Sequence, residues 1–287
     1  MTTLQHKIDF ALVLRVTKAN PNGDPLNGNR PRTGYDGIGE ITDVCLKRKL
    51  RDRLQESGRP IYIQSNDRRM DEHPSLMKRA EAFLDFKRPE SEIVAKACQT
   101  WFDVRAFGNL FALPESKKSK KKSTADADEE IDDHKSVSIG IRGPVTIQSA
   151  FSIQPVEISS TQITKSVSGE GDGTKRGSDT MGMKHRVDSG IYLTFGSINP
   201  QLAERTGFSD DDAAALKAIL PKLLENDASA ARPEGSMEVL KLVWWQHPSK
   251  SGLCSSAKVH RSLVVDPEGN VTVTKIDGLT EEMIDGF

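Results

Sequence analysis

Ile8-Asp9-Phe10-Ala11-Leu12-Val13-Leu14-Arg15-Val16-Thr17 is the stretch on which the fold turns. Ile8, Phe10, Leu12, Leu14 and Val16 alternate with Asp9, Ala11, Val13, Arg15 and Thr17, a period of two that predicts a β-strand. Working outward, Ile61-Tyr62-Ile63, Trp101–Phe107, Val137–Ile141, Val145–Ile153, Val187–Phe195, Met237–Trp245, Val259–Val265 and Val271–Ile276 also read as strands, with a turn at Pro267–Asn270. Thr42 or Asp43 can cap a helix whose Leu46, Leu50 and Leu54 repeat at i, i+4 and i+8 and which Gly58 and Pro60 stop. Residues 66 to 100 look helical, with Pro74 near one start and Pro89 breaking the run. Ser209 or Asp210 caps a further helix toward Glu225, which Pro221 bends or splits. This order of elements predicts an α+β fold, a mostly antiparallel sheet with helices on one face.

Polar excursions leave that framework. Ala19 to Gly39 is rich in Gly, Pro, Asn and Asp, and a loop of that length in a compact domain is expected to be functional or disordered. From about 114 to 135, Lys117, Lys118, Lys120, Lys121 and Lys122 are followed by Asp126, Asp128, Glu129, Glu130, Asp132 and Asp133, a tract expected to be solvated and disordered. Residues 159–182 are rich in Ser, Thr and Gly.

Charge narrows the functional classes. Among 287 residues, 40 Lys and Arg face 41 Asp and Glu, a net charge of −1, so a uniformly basic nucleic-acid coat is excluded and a binding site must be a local patch. Cys45, Cys98 and Cys254 form no metal-type spacing, and an odd count argues against a disulfide framework; a reducing cytoplasm is the expected location. The opening lacks the layout of a secretion signal, and no apolar run approaches a membrane span.

Enzyme motifs fail one by one. Gly169 to Gly177 fits neither G-x-x-x-x-G-K-[ST] nor G-x-G-x-x-G and reads as a flexible hairpin tip. There is no H-E-x-x-H and no G-x-S-x-G. Asp24 and Asp36, in the first loop, are the two carboxylates kept as catalytic candidates. No cofactor, no metal and no enzymatic activity are expected.

A nucleic-acid patch fares better. Lys47, Arg48, Lys49, Arg51 and Arg53 against Asp43 and Asp52 make residues 41–53 net +3, and Arg30 and Arg32 precede them. Clustered Lys and Arg are what sequence-independent phosphate binding needs. A second cluster, Lys165, Lys175, Arg176, Lys184, His185 and Arg186, flanks Met181 and Met183, which on an exposed arm can wedge between bases or pack on a neighbour. Aromatic residues are only 6%, so a row of stacking rings is not expected, and RNA would be held by its backbone.

Three segments carry a resemblance: Asn20-Pro21-Asn22-Gly23-Asp24-Pro25, Gly28-Asn29-Arg30-Pro31-Arg32, and Ile41 to Arg51. Further matches are Asp103-Val104-Arg105-Ala106-Phe107-Gly108, Arg142-Gly143-Pro144-Val145, Met181 to Tyr192, and Ser229-Ala230-Ala231-Arg232-Pro233. Together they resemble the Cas-seven family, the repeated backbone subunit of type I, I-C-like CRISPR surveillance complexes. The resemblance implies a modified RNA-recognition (ferredoxin-like) fold shaped as a hand. The palm would be 1–60, 101–113, 136–156 and 187–287, the fingers about 61–100, and the thumb about 157–188. Such subunits stack head to tail along one guide RNA, displace a base at regular intervals and leave the rest to pair with target DNA. Partners would be the guide RNA, target DNA through it, further copies of the chain, and the large, guide-processing and small subunits of the complex. By the same resemblance Thr42, Lys47, Arg48 and Arg51 contact guide phosphates, with Asn20, Asn22, Arg30 and Arg32 in the loop beside them. Met181, Met183 and His185 displace a base or touch sugar, Lys165 and Arg186 lie along the thumb, and Ser229 and Arg232 add contacts. Relatives in type III complexes cleave RNA with a loop aspartate, which is the alternative role for Asp24 or Asp36.

Overall fold

The computed structural model describes residues 2–112, 138–164 and 181–287. The Lys/Asp tract, the Gly169–Gly177 segment, Lys165, Lys175 and Arg176 lie outside the described residues.

In chain order the elements are β1 (Ile8–Ala19), β2 (Gly23–Asp24), β3 (Arg30–Pro31), β4 (Ile38–Ile41), α1 (Asp43–Glu56), α2 (Leu76–Phe83), α3 (Glu90–Thr100), α4 (Phe102–Phe107), β5 (Gly108–Ala112), β6 (Ser138–Arg142), β7 (Val145–Ile147), β8 (Ala150–Pro155), β9 (Ile158–Thr164) and β10 (Met181–Ile198). There follow α5 (Pro200–Thr206), α6 (Asp210–Ile219), β11 (Met237–Gln246), α7 (Ser256–His260), β12 (Leu263–Val265), β13 (Val271–Val273) and β14 (Thr280–Asp285). The main sheet runs β14-β11-β1-β10-β8-β4, antiparallel at every pairing, and β7 and β9 also pair with β10. The α+β reading with a large antiparallel sheet therefore holds.

The alternation in β1 sorts the two faces. Ile8, Phe10, Leu12, Leu14 and Val16 join Leu46, Leu50 and Leu54 of α1, Ala203 of α5 and Leu216 of α6 in the main core. Each of the larger side chains, fully buried, is worth about 1.5–3 kcal/mol. Ala11 points the other way and, with Val243 and Trp245 of β11, lies under Val259, Leu263 and Leu279. Helices α1, α4, α5 and α6 thus cover one face as expected, while α7 and the β12–β13 hairpin cover part of the second. A separate core holds Tyr62, Ala80, Leu84, Ile93, Ala97, Trp101, Phe111 and Ile139, so α2, α3 and the β5–β6 hairpin pack together beside the sheet.

Local signals ended elements where expected. Thr42 caps α1, its Oγ1 accepting from Cys45 N at 3.3 Å. Ser209 and Asp212 form a reciprocal capping box on α6, which gives way at Leu220–Lys222 to a 3-10 turn carrying Pro221. The β12–β13 turn closes through Asp266, which accepts from Glu268 N and Asn270 N.

Several assignments differ. Trp101–Phe107 is helical, and 61–63 is not a strand, for one shared reason. The buried Asp103 carboxylate accepts from Tyr62 N at 2.7 Å and Ile63 N at 3.1 Å, so those donors are spent on α4 and not on a ladder. Gly108 ends α4 at φ +82°, where a side chain would also run into the Ile141 carbonyl. Val259–Val265 splits into α7, capped by Ser255, and β12: Val259 and Leu263 sit four apart and both bury under the sheet. Val145–Ile153 is two strands, β7 and β8, each pairing with β10. The stretch from Ala19 to Gly39 is ordered by the β2–β3 pair, a 3-10 turn over Pro25–Asn27 and the start of β4. The charged β14 escaped the alternation test; it is an edge strand, held to β11 by the ladder and the Lys241–Asp285 pair and to α6 by the Lys217–Glu282 pair.

Candidate nucleic-acid interface

The far end of β1 opens into the first loop, and three polar side chains give that loop its shape. Asn20 is buried; its Nδ2 donates to Asn29 O at 2.7 Å, and its N–H donates to Ala231 O at 2.9 Å. Asn22 Oδ1 accepts from both the N–H and the hydroxyl of Thr42 at 2.9 Å, tying the loop to the start of α1. Asn20, Asn22 and Thr42 are thus committed to the protein itself and position the residues around them. Ser229 and Arg232 exchange backbone hydrogen bonds of 2.8 and 3.1 Å, and Ala231 between them receives Asn20.

The cations divide by depth. Lys47 Nζ pairs with Asp43 at 2.9 Å, and Arg48 with Asp52 at 3.0 Å and Asp67 at 3.5 Å; both cations are part-exposed. Arg32 Nη2 lies 3.5 Å from Asp24, while its Nε is buried with no hydrogen-bond partner among the described residues. Lys49 is buried against Asp227, which also accepts from Arg232 Nε at 2.8 Å. Arg51 is turned inward: it pairs with the buried Asp103 at 3.0 Å, and its guanidinium lies 5.3 Å from the centre of the Phe107 ring.

An arm rises beside this end. β9 pairs with the first half of β10, from Met181↔Thr164 to Val187↔Ile158, before β10 enters the main sheet. Strand alternation puts Met181, Met183 and His185 on one face of the arm and Lys184 and Arg186 on the other. Both methionines are exposed. Arg30 Nη1 donates to Ser160 Oγ at 3.2 Å, and Ser160 Oγ lies 2.8 Å from His185 Nδ1, so loop and arm meet. Lys18 and Ser159 both donate to Asp188, at 2.7 and 2.5 Å, and hold its carboxyl below the usual range. Lys18, Ser159, Ser160 and Asp188 were not singled out as site residues in the sequence; ordinary polar residues on strands carry no such signal until β9 and β10 are paired.

The two candidate acids are turn formers in this structure. Asp24 accepts from Leu26 N at 3.2 Å, and Asp36 from Ile38 N at 3.0 Å. Burial raises the pKa of the Cys45 thiol and pushes that of Cys98 up to about 11, so both stay protonated near neutrality.

The outcome is a surface of half-exposed cations on a loop, a helix start and an arm, with Phe195 and Trp245 on the second face of the sheet packed against α7 and its hairpin. Such a surface suits an extended polyanion better than a small molecule. A family model described as CRISPR-associated protein Cas7 matches residues 6–283. The chain belongs to that family. A CRISPR-associated protein Cas7 from Haloferax volcanii is 31% identical over 235 residues, 80% of this chain and 67% of the relative. Among solved structures, a chain of a CRISPR RNA-guided surveillance complex, pre-nicking, aligns at TM-score 0.45 and 13% identity over 83% of this chain and 78% of the other. Another, from a CRISPR RNA-guided surveillance complex, aligns at TM-score 0.42 and 14% identity over 83% and 68%. Among the described residues no helix is long and apolar enough to cross a membrane.

Proposed function

We propose that this chain is a non-catalytic, guide-RNA-binding backbone subunit of a type I, I-C-like CRISPR surveillance complex. In this reading the main sheet is the palm of a modified RNA-recognition fold, α2 and α3 the fingers, and the β9–β10 arm the thumb. Copies stack head to tail along one guide RNA. Arg30, Lys47, Arg48 and Arg232 grip its phosphates, and Met181, Met183 and His185 displace a base at each repeat. Base edges elsewhere stay free, so specificity belongs to pairing between guide and target DNA.

The observation that carries this reading is the Arg30–Ser160–His185 contact, which brings the basic loop and the base of the arm to one place. The covered second face supports it: a strand of RNA cannot stack on Leu193 and Phe195 while they pack against Val259, Leu263 and Leu279. The part-exposed Lys47–Asp43 pair is suited to exchange, because an i,i+4 pair of this kind is worth only about 0.3–0.5 kcal/mol and a phosphate can take the lysine over. Arg51, buried on Asp103, acts in this scheme by holding α1 in place.

A nucleotide-resolution nuclease footprint on a long single-stranded RNA, with magnesium, tests it. Protection in a repeating pattern with hypersensitive bases is the expected result. One isolated protected patch would reduce the chain to a single binding module. Metal-dependent cleavage by the protein itself, abolished by Asp36→Ala, would replace the reading with that of a loop-aspartate ribonuclease.

A further inference from the structure

At the other end of β1 lies a cleft that RNA gripping does not use. It is bounded by α3, α4, α5 and α6, and its volume is about 910 Å³. Leu4 N donates to Phe208 O at 3.0 Å and Thr3 bridges to Ser209, which ties the α5–α6 junction to the start of β1. The first loop leaves from the opposite end of that strand, 12 residues and roughly 36 Å away.

The cleft is built to receive something acidic. Arg105 is occupied, its Nε and Nη2 each 2.9 Å from an oxygen of Asp212. Arg59 and Arg205 also line the cleft, and neither pairs with a carboxylate among the described residues. Together they outnumber Asp211, the one lining carboxylate that Arg105 does not hold. Arg59 lies 5.8 Å over the Phe102 ring. On the floor, Thr206 is 95% buried and its hydroxyl has no hydrogen-bond partner among the described residues. Ala95 and Ala214 leave the walls open.

The first loop supplies a matching knob. Tyr35 is fully exposed, and Asp36 uses one carboxylate oxygen on Ile38 N, the other making no hydrogen bond among the described residues. Building on the head-to-tail reading, we infer that the Tyr35–Asp36 tip of one copy seats in the Arg59–Arg205 cleft of the next. The Asp36 carboxylate meets the two free guanidinium groups, the tyrosine ring lies along Arg59, and its hydroxyl gives Thr206 a partner. A polyphosphate is the poorer occupant, because Asp211 and Asp212 stand in the same cleft. Knob and socket are different surfaces at opposite ends, so the contact is heterologous and propagates as an open chain.

The test uses two full-length variants, one without the knob (Tyr35→Ala with Asp36→Ala) and one without the socket (Arg59→Glu with Arg205→Glu). Circular dichroism checks that both are folded. By sedimentation, each variant alone should self-associate roughly 30-fold more weakly than the parent chain, the effect of unpairing a buried charge. Mixed one to one, they should form dimers and nothing longer, since one intact knob meets one intact socket. Combining Asp36→Arg with the two Arg→Glu changes in one chain should restore association. Self-association of either variant at parent strength, monomers in the mixture, or a parent chain that stays monomeric both free and on long RNA would overturn the inference. The socket variant should bind a short RNA like the parent but lose cooperativity on a long one. Should the parent self-associate through the socket yet fail to bind RNA, the RNA reading falls and the socket stands.

Discussion

The two ends of β1 handle charge in opposite ways. Near its start, Asp9 is fully buried. His247 Nε2 lies 2.8 Å from it, and His247 Nδ1 accepts from Leu253 N, so Nε2 carries the hydrogen and donates it to the Asp9 carboxylate as a hydrogen bond. His260 of α7 and Lys7 each lie 3.5 Å away. Burial alone would raise the Asp9 pKa; the hydrogen bond from His247, the neighbouring His260 and Ser256 and the charge of Lys7 outweigh it and hold the carboxyl well below the usual range. This cluster clasps the covering of the second face. At the far end Lys49–Asp227 is buried, but the outward-facing pairs are shallow, Lys47–Asp43 and Arg32–Asp24 among them. The difference separates charges that hold the fold from charges a ligand can borrow, because a buried ion that loses its partner has no water to replace it.

Removing the deep anchors should have the largest effect. Asp9→Ala and Arg51→Ala should each cost about 3–5 kcal/mol in denaturant unfolding. Equal costs for Lys47→Ala would erase the distinction between the ends. The pH dependence should follow from Asp9: with its folded pKa depressed, the stability it contributes is full above its ordinary value of 3.8 and drains away as pH falls below it. Asp9→Asn should flatten that acid limb in a series of unfolding curves from pH 6 to pH 2.

Arg30→Ala with Lys47→Ala should do the reverse, leaving the unfolding midpoint nearly unchanged. RNA affinity should fall about tenfold at low salt for unrelated sequences, and the salt slope should lessen by about 2. An unchanged slope measured by fluorescence anisotropy would remove the loop end from the RNA surface. The smallest change comes from freeing a cation. Asp43→Asn should tighten RNA about twofold, the worth of such a pair, while slightly weakening α1. Looser binding would mean that Asp43 is needed in place.

Much of this was readable from residue order, for stated reasons. The strand at 8–17, a cap at Thr42 or Asp43, a cap at Ser209 or Asp210 and the break at Pro221 are local effects, each set within a few residues. The candidate loop and helix were also legible as a cluster of cations. Which of those cations face outward was not: Arg51 and Lys47 sit four apart on one helix, yet Asp103, 52 positions further on, draws only Arg51 inward. Residues 101–107 and 259–265 were misread because a short apolar run looks the same as strand or helix until its partners are known.

Periodicity and capping determined the elements, since backbone preference and the burial of alternate or fourth residues act over a few positions. Packing alone decided that the second face of the sheet is closed, that the arm meets the first loop through Ser160, and that an arginine-lined cleft lies a full strand away from the loop proposed to fill it. Those facts depend on pairs of residues more than a hundred positions apart, and the energy of such a contact exists only when the chain has already brought them together.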